Sequence, residues 1–299
     1  MFTPRKIASG RLYFLLFFDI ITIYCVSGGI FMNIGASSAC FYPLETEKAF
    51  QEICEMGFSH SEIFFNSPSE LNSDFVKEML RIKEHYGITV TSLHPYRSFS
   101  EGYDFFSKYK RRFYDATEDF KRFFNAAAEL GAKYIVMHGS KHHSEIPLTE
   151  YAERFGELNS IARTFSCNVA HENVVDFASA SPDFMRFMKE QLGKDFKAVL
   201  DIKQARRAGY DYNEFIDVLG ENIVHLHLSD FNSEHNCIPP SENGAFDFSA
   251  LFTRLKNIGY KGDGVIELYS DGYKESSEIV SAAEYLKKIA DKVFNQTEF

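Results

Sequence analysis

The chain has little of what marks a disulfide-rich or zinc-thiolate protein. Its 299 residues include five cysteines, which are scattered, odd in number and without CxxC spacing, and no tryptophan. This pattern excludes a disulfide scaffold and argues against a thiolate zinc site. It is typical of a reduced protein, so we predict a cytoplasmic location.

Positive charge is also scarce. Asp and Glu total 42 against 32 Lys and Arg, which gives a formal net charge of −10, and no long basic block occurs. Because binding to duplex DNA requires a cationic surface, we expect no nucleic-acid partner. A glycine-rich phosphate loop with a lysine is missing as well, and this leaves open whether a substrate carries phosphate.

Long apolar runs are missing except near the start, where the run Leu12–Val26 follows three basic residues. It is shorter than the roughly 20 residues of a comfortable membrane helix, so we expect no stable membrane association. We therefore separate residues 1–31 from residues 32–299. Our preferred interpretation is a start-site artefact, in which Gly28-Gly29 reflects a ribosome-binding sequence ahead of Met32. A signal-peptide core and a true anchor are the alternatives.

From Met32 onward, short β-rich runs alternate with helical stretches that often end at a glycine. Eight such units of roughly 30 residues predict an α/β protein with a parallel sheet, most simply a single-domain (β/α)₈ TIM barrel. A doubly wound open sheet is the alternative. The predicted strands are 32–36, 62–66, 88–94, 134–138, 168–172, 196–201, 223–230 and 265–269. The predicted helices are 45–56, 73–86, 105–130, 148–165, 181–193, 212–219, 248–258 and 276–294.

Six of the predicted strands carry an ionisable residue at or near their carboxyl-terminal end. In a TIM barrel these ends line one mouth, and the two-residue period of a strand aims the six side chains inward while their mostly apolar neighbours face the helices. Three carboxylates and three imidazoles at close range would repel or hold protons unless a cation binds them. Such a donor set suits Mn²⁺, Zn²⁺ or Co²⁺. The six residues are His94, His138, Glu172, Asp201, His227 and Glu267.

The motifs around these residues follow one another in a distinctive order. They are Leu93-His94-Pro95-Tyr96, Met137-His138-Gly139, His171-Glu172-Asn173, Leu200-Asp201-Ile202, His225-Leu226-His227-Leu228-Ser229-Asp230 and Ile266-Glu267-Leu268. Together they resemble the xylose-isomerase-like TIM-barrel superfamily, which includes sugar-phosphate isomerases, ketose 3-epimerases and endonuclease IV. The resemblance covers the chain from about Met32 to its C-terminus.

The resemblance to the epimerase branch implies one divalent metal (Mn²⁺, Zn²⁺, Co²⁺ or Mg²⁺), with two of its glutamate ligands acting as acid and base. The implied ligands are Glu172, Asp201, His227 and Glu267, and the catalytic pair is Glu172 and Glu267. The endonuclease branch implies a second metal at His94 and His138. Its third metal site requires a histidine where Gln204 stands and an Asp-x-His that residues 241–247 lack. Epimerases often carry an arginine shortly after the strand-seven histidine, and residues 231–234 contain none.

We therefore predict a metal-dependent isomerase or epimerase that acts on a small sugar or polyol-like carbonyl compound by proton transfer through an enediolate. A metal-assisted hydride shift is a variant of this mechanism. The alternatives are a metal-dependent hydrolase or lyase, including an endonuclease-IV-like enzyme, and a non-catalytic sugar-binding barrel.

Further residues are candidates for contact with the substrate. His94 and His138 bind either a second metal or substrate hydroxyls in this hypothesis. Lys203, Gln204 and Tyr96 are predicted to contact the substrate, whereas His142 and His143 are predicted to be solvated in a polar loop. The sequence does not predict an oligomeric state.

Overall fold

A computed structural model describes residues 32–141 and 144–295. The predicted N-terminal segment 1–31, with its three interpretations, and the predicted solvated pair His142 and His143 lie outside the described residues. None of the helices in the described part is both long enough and apolar enough to span a membrane. The cytoplasmic location stays a prediction.

The described strands form a closed parallel barrel in which each strand pairs with the next along the chain and the last pairs with the first. This confirms the predicted (β/α)₈ barrel and excludes the open sheet. The eight strands are β1 Ile34–Ser37, β2 His60–Phe64, β3 Thr89–His94, β4 Tyr134–Met137, β5 Asn168–Glu172, β6 Ala198–Asp201, β7 Ile223–Leu228 and β8 Asp263–Ile266.

The described part of the chain holds ten α-helices. Gly87 and Gly131 end two of them in the left-handed conformation, at φ +67° and +73°, and each of these glycines was predicted as a helix stop. The helices are α1 Thr46–Glu55, α2 Ser73–Tyr86, α3 Glu101–Phe105, α4 Lys110–Leu130, α5 Leu148–Thr164, α6 Pro182–Leu192, α7 Ile202–Arg207, α8 Tyr212–Leu219, α9 Phe248–Asn257 and α10 Ser277–Phe294.

Several predicted boundaries differ from those in the structure. Strands β2 and β8 begin two residues earlier than predicted, and β1 and β6 begin two residues later. The predicted helix 105–130 begins only at Lys110, as α4, because α3 ends at Phe105. Helix α7 was not predicted. Strands β4 and β8 also end one residue before His138 and Glu267, so these two side chains belong to the loops that leave the barrel.

The alternation of strand side chains builds two apolar regions. Outward-facing strand residues are buried in the main core beneath the helices, and a small apolar cluster lies inside the barrel. The outward set includes Leu93, Met137, Leu200, Leu226 and Ile266. The interior cluster is Val136, Ala170 and Val199. His138, Glu172 and Asp201 therefore lie one layer above these apolar residues, whereas Ser92 and His225 occupy the corresponding positions beneath His94 and His227.

Candidate active site

Four of the six predicted residues converge at the carboxyl-terminal mouth of the barrel. Each offers one donor atom, and these four atoms lie within 4.8 Å of one another. Three of the residues end or nearly end β5, β6 and β7, and the fourth directly follows β8. The four are Glu172, Asp201, His227 and Glu267.

His227 lies between the two glutamates. Its Nδ1 is 3.1 Å from Glu172 Oε1 and 3.4 Å from Glu267 Oε2. The His227 side chain is fully buried, and the Glu267 side chain is 13% exposed. The Nδ1 atom is therefore the ring nitrogen that faces Glu172 and Glu267, and Glu267 is the one of these two that solvent reaches more easily.

The backbone around Asp201 holds its carboxylate in place. Asp201 Oδ1 accepts a hydrogen bond from the Gln204 backbone N–H at 2.9 Å and so caps α7. The Asn173 side chain links the ends of β5 and β6. It accepts a hydrogen bond from the Asp201 N–H and donates one to the Asp201 carbonyl oxygen. Asp201 Oδ2 is buried and accepts no hydrogen bond within the described residues, although Lys203 Nζ is 3.4 Å away.

Sequence reasoning missed Glu62, which is completely buried inside the barrel. Its Oε2 accepts a hydrogen bond from Ser92 at 2.7 Å and lies 3.2 Å from His227 Nε2, while its Oε1 accepts from Ser37. Glu62 thus pairs with the nitrogen of His227 that faces away from the carboxylate group, an arrangement that fixes the orientation of a metal-binding imidazole. A carboxylate within a predicted strand was the available signal.

His94 and His138 meet at a second cluster that shares Glu172. Their Nε2 atoms are 3.0 Å apart, and they lie 3.6 Å and 2.9 Å from Glu172 Oε2, respectively. The buried Glu101 carboxylate accepts the backbone N–H groups of His138 and Gly139, which holds the loop after β4 in position. This second cluster is therefore also a candidate metal-binding group.

The three predicted substrate residues line a cavity of about 720 Å³ that opens onto both clusters. Lys203 donates a hydrogen bond to Glu267 Oε2 at 3.1 Å. Gln204 Oε1 accepts the Val175 backbone N–H. Tyr96 is half-buried in the cavity wall.

Exposed aromatic side chains surround the outer part of the same cavity. Tyr42, Phe99 and Tyr269 are 61%, 89% and 47% exposed, respectively. Arg207 also lines the cavity and donates to the Tyr269 hydroxyl at 3.0 Å. The cavity therefore combines an acidic floor with an aromatic rim.

Burial and neighbouring opposite charges shift the pKa values of the ionisable side chains in the site in opposite directions. Burial raises the pKa of Asp201 to about 6 against the lowering effect of Lys203. Burial also raises the pKa of Glu267, but Lys203 and His227 outweigh it and bring that pKa down to about 2. The pKa of His227 is well above its usual range because three glutamates outweigh the effect of burial. The site is therefore a compact ion cluster in which cationic groups offset the carboxylates.

The donor set suits a divalent cation. Its three carboxylates and one imidazole are ligands that Zn²⁺ and Mn²⁺ accept. The buried Asp201 Oδ2 atom forms no hydrogen bond within the described residues, and buried carboxylate oxygens rarely lack a partner. Glu172, Asp201, His227 and Glu267 are thus able to hold one metal ion.

Comparison with known proteins identifies the family. A family model described as a xylose isomerase-like TIM barrel matches residues 50–289. The chain belongs to this family. An uncharacterized protein of Methanocaldococcus jannaschii is 24% identical over 278 residues, which cover 88% of this chain and 92% of that protein.

Solved structures of the xylose isomerase-like fold align along most of the chain. A D-tagatose 3-epimerase-like protein superposes with a TM-score of 0.72 at 21% identity, covering 88% of this chain and 98% of that one. The IolI protein, crystallised with a zinc atom, superposes with a TM-score of 0.71 at 19% identity, covering 89% and 100%. At these identities the likeness establishes the fold.

Proposed function

We propose that this protein is a divalent-metal-dependent isomerase or epimerase of a small sugar or sugar-like carbonyl compound. Support comes from the donor set at the barrel mouth and from membership of the xylose isomerase-like family. Superposable structures include a D-tagatose 3-epimerase-like protein and a zinc-containing barrel. Glu172, Asp201, His227 and Glu267 are the proposed metal ligands.

The observation that carries this proposal is the placement of the two glutamates. The four residues come from four neighbouring positions around the barrel, with Glu172 on β5 and Glu267 after β8 at the two ends of the arc. Both glutamates approach His227 Nδ1, and both line the cavity. A substrate bound against the arc would thus have one carboxyl group on each side.

Two opposed carboxyl groups are what an epimerisation requires. One carboxylate removes the proton from the carbon next to the substrate carbonyl, and the electron pair of that C–H bond passes into an enediolate. The other carboxyl group delivers a proton to the opposite face of the same carbon, and exchange with solvent restores both groups. We assign these roles to Glu172 and Glu267, in either order. A bound divalent cation supplies Lewis-acid stabilisation of negative charge on the substrate oxygens.

Other residues of the cavity bind and orient the substrate in this proposal. Lys203, Gln204 and Tyr96 lie where a ligand of the cavity would touch them. His94 and His138 line the same cavity and are suited to hold substrate hydroxyl groups. A nucleic-acid partner is not part of the proposal, in keeping with the acidic composition.

A second candidate function is favoured by the cluster of His94, His138 and Glu172. Their donor atoms lie within 4.8 Å of one another, so these three residues are able to hold a second metal ion. Two metals close together are typical of hydrolases that attack phosphate or amide bonds. Elemental analysis separates the two functions: one exchangeable metal per chain supports isomerisation, and two tightly held zinc ions support hydrolysis.

Solvent deuterium tests the proposed chemistry directly. The protein, loaded with Mn²⁺, Co²⁺ or Zn²⁺, is incubated in D₂O with a panel of ketoses and inososes, and proton NMR follows exchange at the carbon next to the carbonyl. With the responding substrate, Glu267→Gln and Glu172→Gln are each expected to lower the rate by about 10²- to 10⁴-fold, the usual contribution of acid–base catalysis.

The matched control is Glu129→Gln, which removes an exposed carboxylate of α4 and is expected to leave the rate unchanged. Full turnover by Glu267→Gln would show that the acid–base assignment is wrong. Product formation without deuterium uptake would instead indicate a hydride shift.

A further inference from the structure

A lysine side chain extends into the proposed metal site. Lys203, in the first turn of α7, has a side chain that is 2% exposed. Its Nζ lies 3.1 Å from Glu267 Oε2 and 3.4 Å from Asp201 Oδ2. The Tyr269 ring centroid is 4.7 Å from the same nitrogen. The ammonium group therefore contacts two of the four proposed ligands.

Burying an ammonium group removes its favourable hydration free energy, so contacts with its neighbours must offset that loss. Here Glu267 and Asp201 supply the opposite charge, and the aromatic face of Tyr269 adds a cation–π contact. In return, Lys203 offsets the repulsion among Glu172, Asp201 and Glu267. The carboxylate group is thus partly neutralised by the chain itself.

Asp201 and Glu267 are the two residues that Lys203 shares with the proposed metal site. Asp201 Oδ2 and Glu267 Oε2 face Lys203 Nζ and also belong to the residues whose donor atoms converge. A divalent ion bound among them would lie close to the ammonium charge, and like charges at such distances repel strongly in a buried site. Binding of metal and retention of Lys203 in its present position therefore oppose each other.

We propose that Lys203 is a resident cation of the metal site, which keeps Asp201 and Glu267 paired in the metal-free protein and weakens the binding of a divalent metal. This inference rests on the proposed metal site. Its consequences are a metal-free protein that is folded and a metal ion that exchanges readily.

Calorimetric titration of the full chain with Zn²⁺ and with Mn²⁺ tests the inference, after chelation and dialysis. Lys203→Met is expected to bind metal at least about tenfold more tightly than the wild type, because the repulsion between the two cations is gone. Its metal-free form is expected to melt at a lower temperature than the metal-free wild type. Lys203→Arg keeps the charge and is expected to retain weak binding.

The matched control is Lys287→Met, which removes an exposed lysine of α10 and is expected to change neither the metal affinity nor the melting temperature. Equal or weaker metal binding by Lys203→Met, in a protein whose wild type binds metal, overturns the inference and leaves the proposed function standing. A complete lack of metal binding by both proteins overturns the proposed function itself.

Lys203→Gln provides a second neutral variant if Lys203→Met fails to fold. If neither folds, NMR of the ¹⁵N-labelled lysine ammonium groups carries the test in the wild type. The buried Lys203 signal is expected to shift or broaden as Zn²⁺ is added, because the ammonium group must move or lose contacts. A Lys203 signal that stays unchanged while zinc binds overturns the inference.

Discussion

Glu62 acts through His227 in our interpretation of the site. Its carboxylate accepts hydrogen bonds from Ser37 and Ser92 and faces His227 Nε2, so it favours the tautomer that leaves Nδ1 free for a metal. Glu62→Gln is expected to weaken metal binding by about 10- to 100-fold, the usual effect of losing such a partner. Competition with a fluorescent chelator measures the affinity.

Glu129→Gln serves as the control for this variant too, and circular dichroism checks that Glu62→Gln is folded. A folded variant with wild-type metal affinity would show that Glu62 has only a packing role. A loss of affinity for Zn²⁺ and Mn²⁺ alike would support its role in orienting His227.

At the residue scale, the sequence predicted which side chains converge in the candidate donor cluster, because each of these residues stands at or next to a strand end. Glu172, Asp201 and His227 converge as their positions indicated. Glu62 was missed because the predicted strand began at Glu62, whereas β2 begins two residues earlier and buries Glu62 at its centre. The contact between Glu62 and His227 crosses the barrel interior, and a one-dimensional pattern does not contain that information.

At the scale of the elements, the backbone of the loop that follows β4 requires a glycine at position 139. Gly139 has a φ of +82°, and a Cβ there would overlap the Tyr151 hydroxyl oxygen and lie 2.8 Å from the His171 ring. Gly139→Ala is therefore expected to lower the free energy of unfolding by about 2 kcal/mol or more, from backbone strain and crowding together. Urea unfolding measures the change.

Gly57→Ala is the matched control, since Gly57 also has a φ of +82° but no heavy atom lies within 4 Å of the added Cβ. The difference between the two variants in the free energy of unfolding measures the effect of crowding in the loop after β4. Equal destabilisation by both would contradict the crowding argument and leave strain as the whole cause.

Element boundaries were predictable where capping signals exist. The glycines Gly87 and Gly131 correctly predicted the ends of α2 and α4, whereas α7 was not predicted. This helix has six residues, too few to show a helical period, and its N-cap is Asp201. The residue that the strand pattern marks as a candidate ligand is also the one that starts the helix, so two signals coincide at a single position.

For the whole molecule, metal binding is expected to raise thermal stability. A ligand that binds the folded chain at 100 times its dissociation constant stabilises it by about 2.7 kcal/mol. Differential scanning calorimetry with saturating Zn²⁺, Mn²⁺, Co²⁺ or Mg²⁺, compared with a chelator, is expected to show a higher Tm for at least one metal. Asp201→Asn, which removes one ligand charge, is expected to reduce this shift.

An unchanged Tm for all four metals would contradict the proposed site. A shift that Asp201→Asn retains in full would place the bound metal elsewhere in the protein.

The topology of the whole barrel was predictable because eight strand–helix units in succession leave few alternatives, and the closed pairing of β1 with β8 confirms it.

The arc of proposed ligands draws on the second half of the chain, from β5 to the loop after β8. The first half supplies Tyr42, Tyr96 and Phe99 to the cavity wall. These two contributions are therefore separable in an engineered protein. Randomising the loops after β1 and β3 offers a route to new substrate preferences, because the proposed metal ligands lie outside these loops and are kept.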